Sequence, residues 1–155
     1  MTYCEAKVEA EAERFLSDAT GKGKRRADLI WLAGYGSSKN LALGGEDLGS
    51  GDEMKDETQY IDTTDFAEGR IDIRLQDYIS PNGDLVNDSC SNGKGREANP
   101  DNLANTEANI LPKGVKMTSS DRPMYVRDIY LNDEGGLMLK FDVDSLYTLR
   151  GRMEN

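Results

Sequence analysis

From Pro81 to Arg122 the chain has few apolar side chains and is crowded with asparagine, glycine, serine and aspartate. The residues that ordinarily drive collapse are therefore thinnest in its middle. An irregular run of about forty residues far exceeds ordinary loop lengths, and such runs are either functional or too hydrophilic to fold unaided. The expectation is a long irregular segment over 81–122, broken only by a short strand around Ile110, Leu111 and Val115 and held in place by neighbouring surfaces. The rest of the chain supports one domain of 155 residues with a thin core, because only 37% of residues are apolar and 7% aromatic, against 16 glycines.

Residues 3–19 carry Cys4, Val8, Ala12, Phe15, Leu16 and Ala19 at helical spacing, which predicts an amphipathic helix. Its acidic face sets Glu5, Glu9 and Glu13 at i, i+4, an unfavourable array unless a cation lies opposite. Gly21 and Gly23 supply the left-handed residues that end helices. After the bases Lys22, Lys24, Arg25 and Arg26, the apolar run from Leu29 to Ala33 predicts a short second helix. Trp31 within it is the best single anchor for a core or an interface. A glycine-rich and acidic connector then spans 35–68.

Ile71, Ile73 and Leu75 alternate with Asp72, Arg74 and Gln76, predicting a strand over 69–79 that turns at Pro81, Asn82 and Gly83. Met124 to Leu131 and Leu137 to Val143, joined through Asn132–Gly136, read as a β-hairpin. Residues 144–153 fit either a further strand or a short helix capped by Asp144. The fold class expected is α+β: two N-terminal helices packed on a small, mostly antiparallel sheet that contains 69–79 and the hairpin, with long irregular connectors outside.

The chain has no histidine, which removes the usual general base and the commonest transition-metal ligand. Two cysteines, Cys4 and Cys90, without a CxxC pair do not make a structural zinc site, and whether they join in one disulfide stays open. No metal and no cofactor is expected. Asp88 to Asn99 resembles a calcium loop at Asp88, Asn92 and Gly93, but Cys90 and Asn99 stand where an acidic or amide ligand and a bidentate glutamate belong. The bases beside Gly21 and Gly23 resemble a phosphate loop in composition only, since neither the P-loop spacing nor a preceding strand is present. The N-terminus lacks the apolar core of a signal peptide and no stretch is long enough to span a membrane, so a soluble chain is expected, cytoplasmic or within a virion.

Eleven carboxylates fall between Glu46 and Asp77 against the three bases Lys55, Arg70 and Arg74, and this stretch holds most of the formal net charge of −10. It is the candidate docking surface, formed by Glu46, Asp47, Asp52, Glu53, Asp56, Glu57, Asp62 and Asp65 and joined by Trp31, for a protein partner with a basic surface. Direct nucleic-acid and membrane contacts are not expected. The function expected is a non-enzymatic interaction or assembly subunit of a larger complex, for example a virion. The alternatives are an acidic inhibitor, of phage origin for example, docking on a nucleic-acid-binding enzyme, and a small carboxylate- and metal-dependent enzyme.

Overall fold

The computed structural model describes residues 2–43, 59–66, 73–123, 126–134, 137–141 and 146–154. Along the chain run α1 (Glu9–Ala19), β1 (Ala27–Ala33), β2 (Asn40–Ala42), β3 (Tyr60–Asp62), the single turn α2 (Leu75–Tyr78), β4 (Ile79–Asp88), α3 (Leu103–Ile110), β5 (Lys116–Ser120), β6 (Val126–Leu131), β7 (Leu137–Phe141) and β8 (Leu146–Arg150), with 3-10 turns at Thr63–Phe66 and Arg96–Ala98. Among the described residues the strands form a four-stranded sheet of order β1-β4-β5-β8 and two separate pairs, β2-β3 and β6-β7. The architecture is mixed α+β.

The central sheet differs from the expected one in its direction. β1 pairs with β4, and β4 with β5, in parallel; only β8 runs antiparallel, against β5. Parallel neighbours need a crossover, and α3 with the 3-10 turn before it supplies the one between β4 and β5. The second helix expected at Leu29–Ala33 is instead β1. A continuous apolar run of this length fits a buried strand as well as a helix, and its register with β4, from Leu29 opposite Asp84 to Ala33 opposite Asp88, decides the matter. Helix α1 begins at Glu9, later than expected, with the Lys7 amide donating to the Glu11 carboxylate across its first turn, 2.8 Å. The cation that the acidic face of α1 required is Arg74, which donates to Glu13 through Nε and Nη2 at 3.0 and 2.9 Å.

Of the strand expected over 69–79, residues 69–72 lie outside the described residues, 75–78 form α2, and only Ile79 belongs to a strand. Ile73 and Leu75 are nevertheless fully buried. The turn expected at Pro81–Gly83 is a bulge inside β4: between the pairs Ala27–Ile79 and Leu29–Asp84, two steps along β1 face five along β4. The C-terminal hairpin is present as β6 and β7, outside the central sheet, and the undecided tail is strand β8.

The largest correction concerns 81–122, which carries most of β4, α3 and β5. Leu85, Leu103, Ala104, Ala108, Leu111, Val115 and Met117 are all completely buried there. Most of the few apolar residues are placed so that they reach the core, and asparagine ties down the irregular backbone between them. Asn102 caps α3 by accepting from the Asn105 amide at 2.8 Å, while its own amide group donates to the carbonyls of Lys94 and Arg96. Asn105 donates to the carbonyls of Arg96 and Asn99 at 2.8 and 3.0 Å and accepts from Arg152 Nη2 at 2.5 Å and the Tyr147 hydroxyl at 3.3 Å. Asn92, completely buried, donates to the carbonyls of Ser37 and Asn40 and accepts from the Ser89 hydroxyl. These amides satisfy turn carbonyls that no ladder reaches, so a hydrophilic segment closes on itself without a neighbour.

Removing one knot leaves several buried groups without partners. Asn105→Ala is expected to cost on the order of 3 kcal/mol in urea unfolding, since each orphaned buried group costs about 1–3 kcal/mol. Asn109→Ala, at an exposed position of the same helix that accepts only from Arg152, is expected to cost less than about 1 kcal/mol. Equal costs at the two positions would contradict the role given to Asn105.

Candidate functional site

The most exposed apolar element among the described residues is the β6-β7 hairpin. Its register sets Ile129 opposite Leu139, Tyr130 opposite Met138 and Leu131 opposite Leu137. Alternation puts Ile129 and Leu131 on one face and Tyr130 and Met138 on the other. The four are 50%, 66%, 46% and 40% exposed respectively, so among the described side chains neither face is buried under a backing layer. Neither strand pairs with any other sheet of the described chain, and both outer edges leave backbone groups unpaired. An isolated two-stranded hairpin is at best marginally stable in water. Charges around the arm nearly cancel, with Arg127 and Lys140 against Asp128, Asp133 and Glu134.

The acidic docking surface is only partly visible. Glu46, Asp47, Asp52, Glu53, Asp56 and Glu57 lie outside the described residues. Asp62, the last residue of β3, and Asp65, in the turn after it, hold that turn together: Asp62 accepts from the Thr64 amide and hydroxyl, both at 2.6 Å, and Asp65 accepts from the Asp62 amide at 2.7 Å. Asp65 is only 1% exposed, which turns its carboxylate inward, away from any docking partner. Trp31 lies in β1, half-buried beside β4, some way along the chain from both aspartates and in a different sheet. Its indole N–H finds no hydrogen-bond acceptor in bonding geometry, although it is close enough to Asp88 to offset part of the upward pKa shift that burial gives that carboxyl.

Behind the sheet lies a group that the sequence reading did not single out. Glu107 of α3 is completely buried and accepts from the Asn87 side-chain amide at 2.5 Å, and burial pushes its carboxyl up to about 8 against a small opposing effect of that bond. Three more buried oxygens of this region, Glu107 Oε1, Asn87 Oδ1 and Ser119 Oγ, have no partner. A neutral carboxylic acid supplies one donor where the two acceptor oxygens of Glu107 and Asn87 have none. The only signal for this site in the sequence is a glutamate at the buried spacing of α3, three residues after Ala104 and one before Ala108. With no exposed surface, Glu107 is placed to set stability rather than to meet a substrate.

Asp88 to Asn99 is not a ligand cage, because Asn92 is consumed in the knot to Ser37 and Asn40 and Cys90 is a half-buried free thiol. Cys4 is also unpaired, and exposed. Among the described residues no three cysteine, aspartate or glutamate side chains come together as a metal-binding group, and no helix is long and apolar enough to cross a membrane. No protein-family model, curated protein or solved structure matches the chain.

A neutral Glu107 makes stability depend on pH in a defined direction. Its folded pKa is raised above the ordinary value of 4.5, so the native state holds the extra proton, and the contribution is complete below pH 4.5 and drains away as pH rises toward about 8. Glu107→Gln retains the shape and cannot ionise. The difference in unfolding free energy between the variant and the parent chain is expected to grow in the variant's favour by a few kcal/mol between pH 5 and 8.5, at about 1.4 kcal/mol per pKa unit at most. Parallel stability curves for the two proteins over that range would contradict a buried neutral acid.

Proposed function

We propose that the chain is a non-enzymatic assembly subunit whose arm is the β6-β7 hairpin and whose first partner is a second copy of itself. The observation that carries this reading is the simultaneous exposure of Ile129, Tyr130, Leu131 and Met138 on both faces of a two-stranded element with no backing sheet. Apolar side chains presented this way mark an interaction site in a soluble protein. Self-association suits the arm because a hairpin with free edges and equivalent faces is self-complementary about a two-fold axis. The near-neutral charge of the arm also lets two copies approach despite the −10 of each chain. A larger complex, such as a virion, is then built from the paired unit.

The hydrophilic middle offers no such surface, since 81–122 closes on the domain's own core. The proposal assigns no catalytic residue. A contact of this kind is dominated by buried apolar area and is only weakly sensitive to salt, unlike docking through the acidic stretch.

Light scattering on the eluting protein is expected to give a mass that rises toward the dimer with concentration, in 0.1 M and 1 M sodium chloride alike. Leu131→Asp is expected to remain monomeric at the same concentrations with its far-UV circular dichroism unchanged, because a charge at a 66% exposed position harms the contact and not the fold. A parent chain that stays monomeric throughout, or a variant that associates equally well, would overturn the reading.

A further inference from the structure

The end of α1, the loop after it and α2 enclose an open cleft of about 540 Å³ lined by Ser17, Lys22, Gly23, Arg26, Arg74 and Asp77, with Tyr78 at its base. Three cations meet two carboxylates here, Asp77 in the lining and Glu13 paired to Arg74, which leaves a net positive spot on a chain of net charge −10. Lys22 and Arg26 are exposed and have no acidic partner among the described residues, although the chain carries a large excess of carboxylates. Asp77 counts against an anion: its carboxylate lies at the rim, 3.8 Å from Arg74 Nε.

The loop that presents these cations is rigidly built. Gly21, Lys22 and Gly23 all adopt left-handed backbone, at φ 58°, 60° and 77°. Gly23 additionally presses on α2, where a Cβ would sit 2.8 Å from the Asp77 carbonyl oxygen, so no other residue fits there without displacement. Thr20, 2% exposed, staples the loop by accepting from the Gly23 amide at 3.1 Å while donating to the Leu16 carbonyl at 2.7 Å. A left-handed lysine between two left-handed glycines is a costly way to end a helix unless the side chain it aims has a use.

Arg74 is fixed from the opposite wall. Its backbone amide, Nε and Nη2 all donate to Glu13, at 3.0, 3.0 and 2.9 Å, and the Tyr78 hydroxyl donates to the same carboxylate at 2.5 Å. Burial and Glu13 raise the Tyr78 pKa, which keeps that hydroxyl a donor. Glu13 thus occupies one edge of the guanidinium, leaving Nη1 without a partner among the described residues. The five successive amides of Gly21 to Arg25 are all consumed inside the loop, donating to Asp18, Ser17, Thr20, Gly21 and Thr20 in turn. An anion here is therefore held by side chains, unlike one in a phosphate loop, whose backbone does the holding.

We propose that this cleft binds the phosphate group of a small phosphorylated molecule through Lys22, Arg26 and Arg74 Nη1. Two guanidinium groups and an ammonium lining one cleft suit a tetrahedral dianion, and the cleft volume leaves room for the body of a small ester beside it. The site is independent of the hairpin and of its self-association.

The test is isothermal titration of the full chain with inorganic phosphate and with ribose 5-phosphate, each against sodium chloride at matched ionic strength. Saturable binding of one ligand per chain is expected, weakened about tenfold or more in the double variant Lys22→Gln/Arg26→Gln. Tighter binding of ribose 5-phosphate than of phosphate would assign the ester as the ligand, and equal affinities would assign the phosphate group alone. Lys24→Gln/Arg25→Gln removes the same charge from the same loop without touching the cleft lining, and is expected to bind as the parent does. No saturable binding, or equal weakening in the two double variants, would mean an adventitious ion only and overturn the proposal.

Discussion

The buried carboxamide is the interaction on which the rest of this fold depends. Asn92, Asn102 and Asn105 are at most 1% exposed, and between them they bind turn carbonyls from Ser37, Asn40, Lys94, Arg96 and Asn99. Each carboxamide offers two donors and an acceptor from one short side chain, which suits irregular backbone that no ladder can satisfy. Through Asn92 the β1-β2 connection is tied to the loop after β4, and through Asn105 the α3 helix is tied to β8 and the tail at Tyr147 and Arg152. The parallel pairing of β4 with β5 is possible because the crossover between them is locked in this way. A network of this kind is unforgiving, since each missing member strands others in a low-dielectric interior.

How much of this was legible in the sequence follows from where the information sits. The hairpin was readable because alternation, a turn rich in Asn, Asp and Gly, and two arms of similar length are local signals. The first helix was readable from its stripe, although it starts at Glu9 and leaves Glu5 outside, so that of the three glutamates only Glu13 meets the opposing cation Arg74. Leu29–Ala33 was not readable, because a short run apolar at every position is ambiguous until its neighbours are known, and those neighbours lie 55 residues on in β4. The middle segment was misread for a deeper reason. Asparagine in a loop and asparagine in a buried knot look alike in one dimension, and only the partner carbonyls distinguish them.

The candidate site shows the same division. Acidic residues were counted easily, yet Asp65 proves to be an internal turn residue and most of the other acids fall outside the described chain. The exposed faces of the hairpin could not be foreseen, because alternation along Leu137, Leu139 and Phe141 implies one dry face packed on a core, whereas the described side chains of both strands are wet on both sides. Glu107 was hidden by its ordinary position in a helix. Its partner Asn87 occupies a central strand buried on both faces, where an apolar residue is normally found. Body and arm are therefore built on opposite terms: the body satisfies most of its polar groups internally, and the arm leaves its described apolar side chains exposed.

Native-state amide hydrogen exchange, followed residue by residue at two protein concentrations, tests that contrast most directly. The slowest exchange is expected in residues 84–88, 103–110 and 116–120 at both concentrations, with protection close to the global unfolding free energy, and fast exchange in 127–131 and 137–140 that slows only as the chain associates. Fast exchange through 89–111 in the dilute protein, or a hairpin equally protected at every concentration, would contradict it.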